Sequence, residues 1–319
     1  MEWSVEFILS IVLVFLCILV VYAYTQKHRP QIPLNIFQTW STKELPPKMK
    51  ECVEKIKRAN PEFKHHLFDD ADCRDFIQQH FDQEVLGAYD ALIPGAYRAD
   101  LWRYCVLYKY GGIYLDIKFE PIGDFKFIEL CDKEYWVLDR PYALSDATTE
   151  HNLFLANHPH YLEYVSPKIS KRFWKNKKIG IYNALIVCKP KNKLLKQCID
   201  QVVQNTQTNY YGYHWLYPTG PGMIVDLMTE KQYRSFVQNT ELFNSLCGHK
   251  IYSKQKPILK HYSEYRKEQS LSEIKKQLPH YHDCWDNKNI YKTKLTSQID
   301  SNNSTNPQLT SSASTTIPV

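Results

Sequence analysis

Residues 97–119 read "YRADLWRYCVLYKYGGIYLDIKF", and no other stretch constrains the fold as tightly. Up to Tyr110 the apolar and aromatic side chains recur at helical spacing, and Gly111-Gly112 supply a C-terminal stop. An apolar strand follows at once. A helix that hands over to a strand through two glycines is half of an α/β unit, and the surrounding chain supplies more such halves. "NIFQTW" (35–40) reads as a first strand, and "PPKMKECVEKIKRAN" as a helix with proline at its start and a stop at Asn60-Pro61. "FKHHLFDD" reads as a second strand, after which Asp69 or Asp70 caps a helix running to about His80. "YWVLD" and "ALIVCK" are further strands, and "NKLLKQCIDQVVQN" a further helix. This alternation predicts an α/β fold with a mainly parallel central sheet.

The length of 319 residues, 44% of them hydrophobic, accommodates one domain of roughly 250 residues or two smaller ones. The net charge of +6 comes without a block of five or six basic residues, which weighs against a nucleic-acid surface. The nine cysteines contain no CxxC pair, so neither a zinc ribbon nor a thioredoxin-like motif is expected, and their redox state stays open. From Phe7 to Tyr24 the chain runs eighteen residues without a charge, just enough with its flanks to cross a bilayer as a helix. Glu2 and Glu6 ahead of it, its length and the lack of a clear cleavage site argue against a removable signal peptide. The expected organisation is a single-pass anchor (residues 7–24) with a linker in 1–30, a folded domain in 31–294 and a disordered Ser/Thr/Asn-rich tail in 295–319. Lys27, His28 and Arg29 follow the span, which by the positive-inside rule favours a cytosolic domain.

Ligands of open α/β sheets bind outside the carboxyl ends of the strands. Asp116 stands at such an end, and on a strand Lys118 points to the same face. A lone aspartate there most often caps a turn. Its company raises the interest: Asp100 and Arg103 share one face of the preceding helix at i and i+3, although on a surface such a pair contributes little. The carboxylates Asp69, Asp70 and Asp116 also raise a metal phosphohydrolase, but the dense ligand spacing of such sites is missing.

The central stretch resembles the DXD-containing sugar-binding glycosyltransferases of family 32, which are yeast mannosyltransferase-like and related to the clostridial toxin glycosyltransferase domains. The family pattern, an R-x-D-x-x-R helix and then GG-x-Y-x-D-x-D, is matched by Arg98, Asp100, Arg103, Gly111, Gly112, Tyr114 and Asp116. "IFQTW" resembles the first-strand motif, "YNALIVCKPKNKLL" a later strand, "TGPG" (219–222) a loop and "HDCW" the C-terminal His/Trp pair. The similarity spans about residues 32–293. It implies a GT-A-type nucleotide-sugar fold. It also implies donor contacts from Gln38, Thr39, Trp40, Arg98, Tyr114, Asn183, Gly220, Gly222 and Trp285, with Asp100, Arg103, Asp116 and Lys118 at the reacting centre. In that scheme Trp40 stacks on the base, Asp100 and Asn183 bind sugar hydroxyls, and Arg103 pairs with phosphate or fixes Asp100.

The departure is Lys118, which stands where the family's second acid holds a divalent cation (Mn²⁺ or Mg²⁺). Three readings stay open. The metal remains on Asp116 with His282, Asp283 or the diphosphate; Lys118 replaces it as a fixed positive charge; or activity is lost and the domain only binds sugar. The resemblance implies a membrane-anchored retaining hexosyltransferase of Golgi- or ER-type endomembranes. The first choice of donor is GDP-mannose, with UDP sugars open, and the acceptor is a glycan or a glycolipid such as inositol phosphoceramide. An inactive sugar-binding membrane protein is the alternative.

Overall fold

The computed structural model describes residues 13–19, 30–139, 180–245, 249–254, 256–271 and 280–292. The expected tail (295–319) lies outside them, as does most of the expected anchor (7–24), of which residues 13–19 are helical. Among the described residues no helix is long and apolar enough to cross a membrane. The eight cysteines among the described residues carry free thiols.

Nine strands form one sheet among the described residues: β1 (Asn35–Thr39), β2 (Lys64–Phe68), β3 (Gly112–Leu115), β4 (Phe119–Pro121), β5 (Tyr135–Leu138), β6 (Ile181–Cys188), β7 (Leu242–Asn244), β8 (Lys250–Ser253) and β9 (Lys256–His261). Their order is β2-β1-β3-β6-β5-β7-β8-β9-β4. The sheet is mixed, which corrects the expectation of a mainly parallel one. Parallel pairing is confined to β1/β2, β1/β3 and β5/β7, whereas β3/β6, β5/β6, β7/β8, β8/β9 and β4/β9 run antiparallel. The cause is connection length. Helices α1 (Pro47–Ala59), α2 (Asp70–His80), α3 (Gln83–Ala91) and α4 (Gly95–Tyr110) separate β1, β2 and β3 and give the crossovers that parallel strands need. β7, β8 and β9 lie within a few residues of one another in sequence, too close for the crossover that a parallel pair needs, and so pair antiparallel.

The strand expected across residues 113–119 is two strands. β3 ends at Leu115 and β4 begins at Phe119, yet the two stand six positions apart in the sheet. Laid flat, six steps would separate them by about 29 Å, whereas the four Cα steps from Leu115 to Phe119 reach at most about 14 Å. The sheet must therefore curl back on itself, with residues 116–118 bridging the seam. Ile113, Phe119, Val137, Leu242, Ile251 and Leu259, from six different strands, pack in one buried cluster inside the curl. α1 closes this cluster with Met49, Cys52, Val53 and Ile56, spaced to lie on one helical face.

A second buried cluster covers the other face. Alternation along the strands sorts the side chains: Ile36 and Ile113 point into the curl, Phe37 and Tyr114 outward to the helices. α4 runs through the middle of this layer and is buried from Asp100 to Leu107, with Trp102 and Tyr104 at 0% exposure. α5 (Lys193–Gln207) packs against α4 through Leu195, Ile199 and Val202. The capping box of α2 belongs to Asp69, whose carboxylate accepts from the Asp72 N–H at 2.9 Å. Among the described residues four short helices follow: α6 (Pro221–Asp226), α7 (Glu230–Asn239), α8 (Tyr265–Leu271) and α9 (Tyr281–Asp286).

The Gly111-Gly112 stop is required by space as much as by conformation. Gly111 (φ 62°) donates its N–H to the Leu107 carbonyl at 2.8 Å, and Gly112 has φ 112°. A Cβ on Gly112 would lie 2.7 Å from the Asn35 carbonyl oxygen of β1. Gly112→Ala is expected to cost roughly 2–4 kcal/mol through backbone strain and overpacking. Chemical denaturation checks this, and a loss below about 0.5 kcal/mol would contradict it.

Candidate active site

Residues 116–118 form a turn, closed by the Phe119 N–H donating to the Asp116 carbonyl at 3.1 Å. Asp116 and Lys118 thus do not share a strand face as expected. The turn makes them converge instead, with Lys118 Nζ 2.7 Å from Asp116 Oδ2. The other oxygen, Oδ1, accepts from the Tyr114 hydroxyl at 2.7 Å and lies 3.4 Å from Arg103 Nη1. Both oxygens are therefore occupied by donors of this chain.

Arg103 links three elements. From α4 its Nε donates to the Ala99 carbonyl at 3.2 Å and its Nη1 to the Asn183 carbonyl of β6 at 2.7 Å, while Nη2 lies 3.2 Å from Asp100 Oδ1. The Asn183 carbonyl is available because the β5/β6 register shifts here: Trp136 faces Ile186, but Val137 faces Tyr182. Asp100 is also held by the Asn183 amide at 2.9 Å and the Thr219 hydroxyl at 2.7 Å. The guanidinium lies 4.3 Å over the Tyr114 ring.

Charge follows this geometry. Burial pushes the Asp116 carboxyl up, but Lys118 and Arg103 outweigh it and hold the group below its ordinary value. Burial dominates at Asp100 and raises it despite Arg103. The Lys118 ammonium is raised, because Asp116 and the nearby tyrosines 182 and 265 overcome its desolvation. His261 is pushed down to about 3, first by burial and then by Lys118.

Two lobes of one cleft meet at this cluster. A lobe of about 260 Å³ is lined by Thr39, Trp40, Asp70, Arg103 and Tyr114 among others. A lobe of about 420 Å³ is lined by Asp100, Asp139, Asn183, Asn244 and His261 among others. Asp116, Lys118, Tyr265, Gln269 and Tyr281 border both. Asn244 Oδ1, His261 Nε2 and Gln269 Oε1 are buried without a hydrogen-bond partner. Such atoms cost free energy when left unsatisfied, so three around one lobe mark it as a polar-ligand site.

Not every residue singled out from sequence reaches the cleft. Asp100, Arg103, Tyr114, Asp116, Lys118, Thr39, Trp40 and Asn183 line it. Arg98 borders it indirectly, donating from Nη2 to Asp70 Oδ2 at 2.9 Å. Gln38 is fully buried and hydrogen-bonds His65 at 2.8 Å. Gly220 lies under Asp100, where a Cβ would come within 3.3 Å of Oδ2, and Gly222 is pressed against the Tyr217 ring. The Trp285 indole donates to the Tyr211 carbonyl at 2.6 Å, and His282 sits near Asp283, Asp286 and the Trp215 ring; neither lines a lobe. Asp139, Tyr182, Asn244, His261, Tyr265 and Gln269 line the cleft but were not singled out. Tyr182 adjoins Asn183 and was within reach of motif reading, and Asp139 ends the strand pattern "YWVLD", whereas the others come from stretches without a periodic or motif signal.

A divalent cation fits this site poorly. Both Asp116 oxygens already meet cationic or hydroxyl donors of this chain, and among the described residues no group of three or more His, Cys, Asp or Glu side chains is placed to hold a metal ion. An ion bound to Asp116 at about 2.1 Å would lie within about 5 Å of Lys118 Nζ and be repelled by about 7 kcal/mol at an effective dielectric constant of 20.

Residues 46–137 match the protein family described as the glycosyltransferase sugar-binding region containing the DXD motif. Inositol phosphoceramide mannosyltransferase 3 of Schizosaccharomyces pombe is 40% identical over 90 residues, 27% of this chain and 24% of that protein. The initiation-specific alpha-1,6-mannosyltransferase of Candida albicans is 30% identical over 102 residues, 30% of this chain and 26% of that protein. The matches span about a quarter of these relatives' length. Among solved structures, the PaToxG glycosyltransferase aligns with TM-score 0.37 and 16% identity, covering 64% of this chain and 71% of that one.

His261 supplies a pH prediction. Its folded value of about 3 lies below the ordinary 6.5, so on acidification the unfolded imidazole takes a proton that the folded one refuses. Stability from this residue is present above 6.5 and is lost as pH falls toward 3. The raised Asp70 and Asp100 act in the opposite sense, so the comparison is made within a pair of proteins. The drop in Tm between about pH 7 and pH 5 should be smaller in His261→Gln than in the wild type. Equal drops would contradict the assignment.

Proposed function

We propose that this chain, which carries the glycosyltransferase sugar-binding region over residues 46–137, moves a hexose from a nucleotide-sugar to a glycan or glycolipid acceptor. The observation that carries this reading is the composition of the cleft. A buried carboxylate and two cations meet at Asp116, Arg103 and Lys118, and the adjoining lobe is lined by the orphaned polar atoms of Asn244, His261 and Gln269. Sugar hydroxyls both donate and accept, so a hexose can satisfy all three. Trp40, at the mouth of the other lobe, offers a flat apolar face for a base.

Mannose is the first choice of sugar and GDP-mannose the first donor. Inositol phosphoceramide is the first acceptor class, by similarity to the inositol phosphoceramide mannosyltransferase of Schizosaccharomyces pombe. In the proposed retaining course the bond from C1 to the diphosphate oxygen breaks with its electron pair staying on that oxygen. The acceptor hydroxyl oxygen then bonds to C1 from the same face, and its proton passes to the departing diphosphate. No side chain is then needed as general base. Arg103 and Lys118 face the charge that develops. The uncharged run 7–24 suits an acceptor held in a membrane.

The close Lys118–Asp116 pair favours one rival, a domain that binds the donor without turning it over. Incubation with GDP-mannose, UDP-glucose, UDP-galactose and UDP-GlcNAc against glycan and inositol phosphoceramide acceptors separates the two. Tight donor binding with neither transfer nor donor hydrolysis would support the rival. On the transferase reading, Asp116→Asn should retain the fold by circular dichroism and lower transfer by about a hundredfold or more. Transfer at the wild-type rate in that variant would contradict it.

A further inference from the structure

We propose that the Lys118 ammonium, held on Asp116, does the work of a divalent cation here and hydrogen-bonds directly to the donor diphosphate, so that donor binding is independent of metal. This rests on the reading that the cleft takes a nucleotide-sugar. The matched region is described by its DXD motif, but this chain reads Asp116-Ile117-Lys118 in the "GGIYLDIKF" stretch.

An ammonium carries three donors; one is used on Asp116 Oδ2 at 2.7 Å and a second on the Tyr182 hydroxyl, which leaves one. Nζ sits 5.4 Å from the Tyr182 ring and 5.6 Å from the Phe119 ring, whose faces hold a cation in place. The side chain is 18% exposed, and Lys118 borders both lobes at their junction. A ligand with its base in one lobe and its sugar in the other would carry its diphosphate past this point.

The other cations around the cleft are less suited. Arg103 directs its donors to the Ala99 and Asn183 carbonyls and to Asp100 and Asp116. Arg98 is paired with Asp70. Arg266 lines only the larger lobe. Lys118 therefore combines position with an unspent donor. It stays protonated throughout: as the C1–oxygen bond breaks it donates a hydrogen bond to a diphosphate oxygen that gains charge, while the acceptor proton goes to the diphosphate itself. Its place is set before the ligand arrives, so little reorganisation accompanies the reaction. Asp116 is then the positioning residue that aims the ammonium.

Titration calorimetry of the full chain with GDP and with UDP, in EDTA and in Mn²⁺, tests this. The wild type should bind its preferred nucleoside diphosphate equally in both conditions, within about threefold. Lys118→Met should weaken binding by about tenfold or more, the loss of a charge-assisted hydrogen bond, and Mn²⁺ should not restore it. Lys118→Asp writes an acid into the motif; it should bind poorly in EDTA and recover in Mn²⁺. Wild-type binding that requires Mn²⁺ would overturn the proposal, as would unchanged affinity of folded Lys118→Met in EDTA. If that variant does not fold, the wild-type comparison alone decides. Failure of the wild type to bind either nucleotide in either condition would overturn the nucleotide-sugar reading itself, and this proposal with it.

Discussion

The guanidinium of Arg103 is where the helical layer, the sheet and the cleft are fastened together. It reaches from the buried face of α4 to the Asn183 carbonyl at a register shift in β6, to Asp100 on its own helix and to Asp116 beyond the end of β3. Without it the Asn183 carbonyl would lose its guanidinium donor and Asp100 its neighbouring cation, and removing one member of a buried charge pair costs about 3–5 kcal/mol. The central cluster is balanced, with two carboxylates against two cations. That balance lets four charged side chains sit together with little exposure, and it leaves the turn at 116–118 little freedom to move.

The curl of the sheet gives this interaction its setting. A flat sheet would carry β4 far from β3, and Asp116 would end an ordinary strand. Because the chain crosses the seam in three residues, Asp116 and Lys118 are pressed into one turn. Residues of β7, β9 and α8 are brought round to face them. The cleft is thus built from both ends of the chain order, with Trp40 near the start and His261, Tyr265 and Gln269 near the end.

Much of the first half was legible in the sequence. Pro47, Asn60, Asp69 and the Gly111-Gly112 pair are local signals, and each works through its own backbone or its near neighbours, so β1, α1, β2, α2, α4 and the start of β3 fall where their patterns place them. Asp100 and Arg103 were legible as a pair because helical periodicity puts them on one face, and Asp116 stood out at a strand end, whereas Tyr114 entered only through the resemblance to the GG-x-Y-x-D-x-D pattern. Sheet direction was not legible. Whether β6 runs with or against β3 depends on which strand it pairs with, and no local preference encodes that. Motif position says nothing about which way a side chain turns: the Gln38 amide oxygen bonds His65, the Trp285 indole bonds the Tyr211 carbonyl, and neither residue lines a lobe.

The sequence by itself determined the local elements, the helix-to-strand handover at Gly111-Gly112, and the presence of a lysine two residues after the key aspartate. These follow from steric and hydrogen-bonding preferences acting over a few residues. Tertiary structure alone decided what that lysine does. Only when the sheet closes does the turn aim Nζ at Asp116, stack it near Tyr182 and Phe119, and set it at the junction of two lobes. Distance between charges is a property of the folded chain, and distance decides whether Lys118 excludes a cation or merely neighbours one.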